Sequence, residues 1–278
     1  MENDNNNGPS KYCMDLSGKF LFMRHGETFY NSCKDISRRY NPKLSDSHLS
    51  DNGIRQAISK QEELNKLNVE TVYVSPFYRA IQTISLALEN YPNENLKVIV
   101  HPKIAEVVCG AHDYLIDIKQ TKKDFNMNSK VKIDWSLFDE YVKNSKYAEN
   151  FFYFENMNLV DEKEKDEEYK KLKILYDKED KEGFNIELGK FLKEKNKTFT
   201  RYESLKHAHQ RFEDFKEFLK IQHKDTINDK DKKVLCVCHS TFISVSISPV
   251  TFLIDKKHEK PTQLVKLNNC QIVTFLFD

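Results

Sequence analysis

Short apolar runs, each soon followed by a charged or polar residue, constrain the fold of this chain more than any other feature. The runs and the residues that follow them are 20–23 with Arg24 and His25, 71–76 with Arg79, and 234–238 with His239. Apolar runs of this length predict buried strands, and open α/β sheets bind ligands at the carboxyl ends of their strands. Two imidazoles and two guanidiniums converging at one such edge would form a pocket for a phosphoryl group.

The alternation of strands with helical patterns predicts an α/β fold, a three-layer sandwich with a mostly parallel sheet and helices on both faces. The predicted strands are about 19–24, 71–75, 97–101, 233–238 and 271–277. Ser50 is predicted to cap a helix that runs to Leu67, and Ser75-Pro76 to open a helix that runs to about residue 89. A further amphipathic helix is predicted over 203–221, and Ser240 is predicted to cap the helix after the fourth strand.

The chain is predicted to contain one domain, residues 18–278, preceded by a polar, disordered arm at 1–17. An insertion at about 110–200 breaks the rhythm of strands and helices. Its aromatic half, around Trp135 to Phe154, is expected to pack at the ligand edge of the sheet and form a wall of the pocket. Its charged half, Asp161 to Glu182, is expected to be a solvated helix or mobile loop whose removal costs little stability.

The charge balance limits the partners that this chain is expected to have. Lys and Arg number 44 and Asp and Glu number 43, so nothing favours nucleic acid or an anionic membrane as a partner. No run approaches the ~18 apolar residues of a membrane span, and Met1 to Ser10 do not resemble a signal peptide, so a cytoplasmic location is expected. The six scattered cysteines form no Cys-x-x-Cys pair, and neither a metal nor a cofactor is expected.

Taken in order, the motifs of this chain resemble those of the histidine phosphatase superfamily, the phosphoglycerate-mutase-like fold. The matching stretches are Arg24-His25-Gly26-Glu27-Thr28 with Asn31, then Asp46, Leu49, Ser50 and Gly53, then Ser75-Pro76 with Arg79-Ala80 and Thr83, then Glu106, and finally Cys238-His239-Ser240. The Arg-His-Gly triplet alone is a weak signal, but the ordered set is specific. The resemblance covers about 18–109 and 200–278, and it leaves homodimer formation open.

The candidate residues suit phosphoryl transfer through a phosphohistidine. His25 is the candidate nucleophile, because a neutral imidazole has one nitrogen with a free lone pair; in the family, a main-chain carbonyl holds the other nitrogen. Arg24 and Arg79 are expected to grip phosphate oxygens with their planar forks. His239 is expected to be protonated and to donate to the same phosphate, as is the Ser240 amide at a helix start.

Glu106, which follows the third predicted strand, is the candidate proton donor for the departing alcohol and the base for the hydrolytic water. The resemblance places Asn31 in the phosphate pocket. Arg38-Arg39 is either a solvated loop pair or a contact for the substrate's tail. No role is predicted for the remaining histidines singled out in the sequence, which are His101, His112, His207 and His209.

The expected activity is metal-independent hydrolysis of phosphate monoesters, and two other functions stay open. A cofactor-dependent phosphoglycerate mutase would carry Arg-x-Tyr-Gly soon after Glu106, where this chain has Val107 to His112, and an Arg-Phe pair after Asn31, where it has Asp35. A non-catalytic adaptor that retained the fold would be expected to have lost a pocket residue. The expected substrate is a small phosphorylated molecule, with a phosphoprotein as the alternative.

Overall fold

A seven-stranded sheet forms the centre of the protein in the computed structural model, which describes residues 12–13, 15–114, 117–128, 130–197, 201–247 and 267–276. The strands are β1 (Tyr12–Cys13), β2 (Phe20–Arg24), β3 (Val69–Val74), β4 (Lys97–Val100), β5 (Ile133–Asp134), β6 (Lys233–Cys238) and β7 (Ile272–Phe275). Their order is β1-β7-β2-β6-β3-β4-β5. The five strands from β2 to β5 in this order run parallel, and β7 is antiparallel to both of its neighbours. The predicted α/β fold with a mostly parallel sheet is therefore confirmed.

Helices cover both faces of this sheet. The α-helices in the described part of the chain are α1 (Phe29–Ser32), α2 (Asp51–Ile58), α3 (Gln61–Lys66), α4 (Tyr78–Ala87), α5 (Ile118–Asn128), α6 (Ser136–Lys143), α7 (Glu162–Asp177), α8 (Lys181–Lys195), α9 (Leu205–Gln222) and α10 (Ser240–Ile247). Helices α2 to α6 contribute to the apolar core on one face, and α9 and α10 to the core on the other. None of the helices described is long and apolar enough to cross a membrane.

The alternation of side chains along β2 explains why its sequence is apolar throughout. Leu21 and Met23 point into the core shared with α4, while Phe20 and Phe22 point into the core shared with α9. A central parallel strand that is covered on both faces has no solvent side for polar residues. The apolar run before Arg24 is therefore a direct consequence of the strand's position.

Several predicted boundaries need correction. Helix α4 begins at Tyr78 with Phe77 as its cap, so the prediction that Ser75-Pro76 opens this helix is wrong. The Ser50 hydroxyl caps α2 by accepting from the Gly53 amide at 3.1 Å, as predicted, but the helix ends at Ile58 and a separate helix, α3, follows.

Both ends of the predicted domain also differ in detail. Strand β1 lies inside the predicted arm of 1–17 and pairs with β7. The prediction that the entire arm is disordered is therefore wrong. Residues 1–11 of that arm, and Phe277 of the fifth predicted strand, lie outside the described residues. Helix α10 begins at Ser240 itself, which therefore is not its cap.

The aromatic half of the insertion packs against the core, as predicted, and it joins two apolar cores. The prediction that it forms a wall of the pocket is wrong, because none of residues 135–154 lines the cavity at the strand ends. Phe138 and Phe152 pack in the core that contains β4, with ring centroids 5.3 Å apart. Phe151 and Phe154, in the 3-10 helix Glu149–Asn156, belong to a separate cluster that includes residues of α7 and α8. This insertion cluster therefore has an apolar centre of its own, attached to the sheet through Phe152.

The charged half of the insertion is a helix, but it is not solvated on every side. Leu172 of α7 is fully buried in the insertion cluster. Lys165 is 3% exposed and pairs with Glu162 at 2.6 Å, so its stem is covered while its charge is compensated. The expectation that this segment buries little surface is therefore wrong, because a charge-dense sequence can still present one apolar stripe to a neighbouring helix.

A pair of substitutions on α7 tests this assignment. Leu172→Ala is expected to lower the free energy of unfolding by about 2–5 kcal/mol, because it leaves a cavity among buried aromatic rings. Ile174→Ala on the same helix removes a side chain from a residue that is 54% exposed, and it is expected to change stability by only about 0.5 kcal/mol. Urea unfolding followed by circular dichroism measures both variants. If both substitutions have equally small effects on the free energy of unfolding, α7 is a solvated helix and not part of an apolar core.

Candidate active site

The carboxyl ends of four parallel strands meet at one edge of the sheet, where the predicted motifs come together. Backbone bonds extend the ladder past the strand ends: the His25 amide donates to the Cys238 carbonyl at 3.0 Å, and the Ser75 amide to the Val237 carbonyl at 3.0 Å. A cavity of about 170 Å³ lies at this edge. Its lining includes Arg24, His25, Thr28, Asn31, Ser47, Arg79, Glu106, His112, Ser240 and Thr241.

The turn that carries His25 is pressed against the start of α2. A Cβ atom on Gly53 would lie 1.9 Å from the Glu27 carbonyl oxygen, so only glycine permits this approach. The Ser50 amide donates to the same carbonyl at 2.9 Å, and the Thr83 hydroxyl accepts from the Gly26 amide at 2.9 Å. Helices α2 and α4 thus fix the backbone on both sides of His25.

His25 has the tautomer that a nucleophile needs. Its Nδ1 lies 2.7 Å from the Gly26 carbonyl oxygen, which can only accept, so Nδ1 carries the proton and Nε2 carries the lone pair. Burial, followed by the charges of Arg79 and Arg24, holds the pKa of His25 well below its usual range. The imidazole is therefore neutral at pH 7, as predicted, and a main-chain carbonyl orients it.

Arg79 is a buried guanidinium held by groups from several parts of the chain. It is 2% exposed, and its Nε donates to His239 Nδ1 at 3.2 Å. One terminal nitrogen donates to the His112 carbonyl at 2.8 Å and the other to the Asp113 carboxylate at 3.1 Å. An Asp46 oxygen lies 3.7 Å away. Since a guanidinium has five N–H groups, these bonds fix Arg79 in the cavity wall and leave N–H groups that can donate to an anion.

The prediction that His239 is protonated is wrong. Its Nδ1 accepts from Arg79, so the neutral ring carries its proton on Nε2, which lies 2.7 Å from the Ser75 hydroxyl. Burial first, and the Arg79 charge second, hold the pKa of His239 well below its usual range. The ring is fully buried, with its centroid 5.1 Å from that of His25. His239 thus orients the Arg79 fork and packs beside His25.

Arg24 and Asn31 both line the cavity and both have groups suited to an anion. The Arg24 guanidinium donates to the Leu267 carbonyl at 2.7 Å, while its buried Nε has no acceptor among the described residues. The Asn31 oxygen accepts from the amide and hydroxyl of Thr28, at 3.2 and 3.0 Å. Because that oxygen is engaged, the NH₂ group of Asn31 is the part that can donate.

The side chain of Glu106 lies against the first turn of α10, and backbone amides of that turn donate to its carboxyl group. One oxygen accepts from Phe242 N and Val107 N, both at 2.9 Å, and the other from Thr241 N at 3.3 Å. Burial, followed by the nearby Asp113 carboxyl, raises the pKa of Glu106 to about 7. The protonated form, which the predicted donor needs, is therefore well populated near pH 7. Ser240 lines the cavity beside it.

The residues of the site that were missed in the sequence include His112 and Asp113, and also Ser47 and Thr241, which line the cavity. His112, predicted to have no role, lines the cavity and stacks on Tyr30 with ring centroids 3.6 Å apart. Asp113 is fully buried and pairs with Arg79. His112 and Asp113 lie in the short 3-10 helix Ala111–Asp113, where the sequence has no periodicity, so no sequence pattern marks them. The one available signal was their position after a strand end.

Of the arginine pair Arg38-Arg39, only the side chain of Arg38 lies in the described part of the structure. Arg38 donates to the carbonyls of Asn31 and Cys33, and its guanidinium lies 5.0 Å from the Tyr30 ring. This arginine therefore braces the loop beside the cavity. The side chain of Arg39 lies outside the described part of the structure.

One cluster near the site has the composition of a metal site. The ligand atoms of Cys109, His112 and Asp113 lie within 4.8 Å of one another, which the scattered sequence positions did not predict. However, Asp113 already accepts from the Cys109 amide at 3.1 Å and pairs with Arg79 at 3.1 Å. A cation placed there would face a fixed guanidinium, so the geometry favours an internal hydrogen-bond cluster.

The fold is α/β, and its strand ends hold a cavity lined by Arg24, Arg79 and the neutral His25, with the neutral His239 bonded to Arg79. Residues 20–136 match the model of the Histidine phosphatase superfamily (branch 1), a range that holds Arg24, His25, Arg79 and Glu106. This part of the chain is therefore similar to the histidine phosphatase superfamily.

Individual proteins resemble this chain more distantly. A probable phosphatase of Schizosaccharomyces pombe is 29% identical over 37% of this chain and 45% of its own length. A 2,3-bisphosphoglycerate-dependent phosphoglycerate mutase of Chlamydia trachomatis is 28% identical over 29% of this chain and 34% of its own length. The chain therefore spans less than half the length of each of these curated relatives. A solved mycobacterial glucosyl-3-phosphoglycerate phosphatase superposes with a TM-score of 0.45 and 16% identity, covering 91% of this chain and 88% of that chain.

Anion binding by the cavity can be measured without knowing the substrate. Inorganic phosphate is expected to raise the melting temperature of the protein, because it binds the folded state alone. Arg24→Met removes a guanidinium from the cavity wall and is expected to abolish most of that rise. Arg38→Met, which alters the neighbouring loop, should retain it. Equal phosphate-induced shifts in both variants would remove Arg24 from the anion site.

Proposed function

We propose that this protein is a phosphatase that hydrolyses phosphate monoesters through a phosphohistidine on His25. One observation carries the proposal: His25 Nδ1 is bound to the Gly26 carbonyl, which leaves the Nε2 lone pair in a cavity that also holds Arg24, Arg79 and Glu106. A neutral nucleophile, fixed cations and a proton donor are the groups that phosphoryl transfer requires.

In the first step, the His25 Nε2 lone pair attacks phosphorus as the bond to the ester oxygen breaks. The Glu106 carboxyl gives its proton to that oxygen, so an alcohol departs instead of an alkoxide. Arg24 and Arg79 donate to the phosphate oxygens, on which negative charge is spread in the transition state. Since His239 and Asp113 fix the Arg79 fork beforehand, little reorganisation accompanies the reaction.

In the second step, water replaces the histidine. The Glu106 carboxylate takes a proton from water, the water oxygen bonds to phosphorus, and the bond between Nε2 and phosphorus breaks. Phosphate leaves, His25 is neutral again and Glu106 has regained its proton. The amides of Phe242 and Thr241 stabilise the carboxylate form between the two steps, because both donate to it.

The size of the cavity supports a compact phosphorylated substrate. Its volume of about 170 Å³ is below the ~300–1,000 Å³ of sites that enclose drug-sized ligands. The cavity therefore suits the phosphoryl group with the first atoms of the leaving group. Small phosphate esters are the preferred substrates, and a phosphorylated side chain of another protein is the alternative that presents the same group.

Phosphoglycerate mutase is the second candidate, and the likeness to the Chlamydia trachomatis enzyme favours testing it. The sequence after Glu106 argues for hydrolysis, since Val107 to His112 replace the Arg-x-Tyr-Gly segment expected of mutases. A non-catalytic adaptor is disfavoured, because His25, Arg79 and Glu106 are not only present but assembled around one cavity.

The central test is covalent labelling of His25. Quenching the enzyme during turnover of a ³²P-labelled ester, in buffer that contains EDTA, is expected to trap an acid-labile, alkali-stable adduct. His25→Ala should abolish the adduct and lower activity by at least about a thousandfold, because no other group supplies the nucleophile. An adduct that survives in His25→Ala, or activity that needs a divalent ion, contradicts the proposal. Faster interconversion of 2- and 3-phosphoglycerate than phosphate release would favour the mutase.

The pKa of Glu106, raised to about 7, sets an expected pH dependence. A proton donor acts in its protonated form, so kcat/KM for an alkyl phosphate should fall above pH about 7, approaching tenfold per pH unit. With p-nitrophenyl phosphate, whose leaving group needs little protonation, this alkaline fall should be weak. Glu106→Gln should lower the alkyl phosphate rate selectively and remove the fall. The same alkaline limb on both substrates would show that another group titrates.

A further inference from the structure

We propose that Glu203 and Arg211, which lie outside the cavity, are positioning residues that hold Glu106 in place for proton transfer. This inference rests on the proposed function, in which Glu106 is the proton donor. Neither residue touches the reacting atoms, so neither is a catalytic residue. Their effect would pass through the backbone of the loop that carries Glu106.

Glu203 and Arg211 form a buried, two-bond ion pair. Arg211 Nε lies 2.8 Å from one Glu203 oxygen, and the terminal nitrogen NH2 lies 2.9 Å from the other. Glu203 is fully buried and Arg211 is 7% exposed. Burial raises the pKa of Glu203, but the Arg211 charge and hydrogen bonds from His207 and Arg211 outweigh it and lower the pKa overall. The pair is therefore charged, and its geometry is set by a planar fork.

Other hydrogen bonds of this pair hold the loop that carries Glu106. Arg211 NH1 donates to the Lys103 carbonyl at 2.6 Å and to the Ala105 carbonyl at 3.1 Å. On the other side of Glu106, the Val108 amide donates to Glu203 at 3.2 Å. The loop is thus held immediately before and shortly after Glu106 by the two members of one ion pair.

Further contacts connect the same pair to the partners of the Glu106 carboxyl. The Glu203 amide donates to the Val108 carbonyl at 3.2 Å, which adds a backbone bond to the side-chain bond. The Arg211 guanidinium lies 5.1 Å from the centre of the Phe242 ring, and the Phe242 amide donates to Glu106. Arg211 therefore contacts both the loop that carries Glu106 and the helix turn that binds its carboxyl.

Stability alone is a weak explanation for such a pair. Desolvation of two buried charges offsets much of their attraction, so a buried ion pair often adds little to folding compared with apolar residues of the same size. The ion pair does fix the positions of three backbone groups around Glu106, which are the carbonyls of Lys103 and Ala105 and the amide of Val108. A proton donor needs this, because a displacement of about 1 Å can cost about a hundredfold in rate.

Arg211→Lys tests the inference, because lysine keeps the charge but cannot reproduce the fork. We expect kcat for an alkyl phosphate to fall about 10- to 100-fold with little change in KM, and kcat for p-nitrophenyl phosphate to change little. Glu203→Asp keeps the charge and shortens the reach to Val108, and it should give the same pattern if the first variant folds poorly. Lys19, just before β2, is a buried lysine whose ammonium group donates to the carbonyls of Asp229 and Lys232. Lys19→Met is the matched control, because it removes a buried cation that holds backbone carbonyls away from the Glu106 loop.

A double-mutant cycle separates positioning from a general loss of structure. In a Glu106→Gln background, Arg211→Lys should have almost no further effect on the alkyl phosphate, because the group that it positions is gone. An undiminished effect in that background, or equal losses on both substrates, overturns the inference while leaving the proposed function intact. If Glu106→Gln itself shows no dependence on the leaving group, Glu106 is not the donor, and the proposed mechanism fails together with the inference.

Discussion

The burial of one positive charge, on Arg79, is the constraint on which the rest of the site depends. An unpaired guanidinium would be costly in the interior, so its donors must find partners. Those partners come from distant parts of the chain: His239 after β6, and the His112 carbonyl and Asp113 carboxylate after β4. Satisfying Arg79 therefore brings the loops at the sheet edge into one arrangement, and that arrangement is the candidate active site.

The same buried charges divide the roles of the titratable groups. Desolvation and the arginine charges lower the pKa of His25 and keep it neutral, while desolvation and the Asp113 carboxyl raise the pKa of Glu106 to about 7. Groups with opposite tasks thus coexist in one small cavity because burial shifts acids and bases in opposite directions. His239 shows the same effect, because burial and the Arg79 charge lower its pKa as they lower the pKa of His25.

The insertion supports this edge of the sheet from outside the cavity. Phe152 packs against Phe77, whose ring lies 5.1 Å from that of His239, and Val108 of the Glu106 loop belongs to the insertion cluster. Helices α7 and α8 complete that cluster with Leu172 and Leu188. The segment that looks most dispensable in the sequence therefore contributes to the packing behind Glu106.

Sequence patterns were sufficient to predict five of the seven described strands and part of the candidate site. Apolar runs predicted the principal parallel strands, because a strand covered on both faces must be apolar throughout, and the residues following those runs identified His25, Arg79, Glu106 and His239. Long-range packing in the folded chain sets the protonation of His239, the place of His112 and the fork between Glu203 and Arg211. These features depend on burial and on contacts between residues far apart in the chain, which local periodicity does not encode.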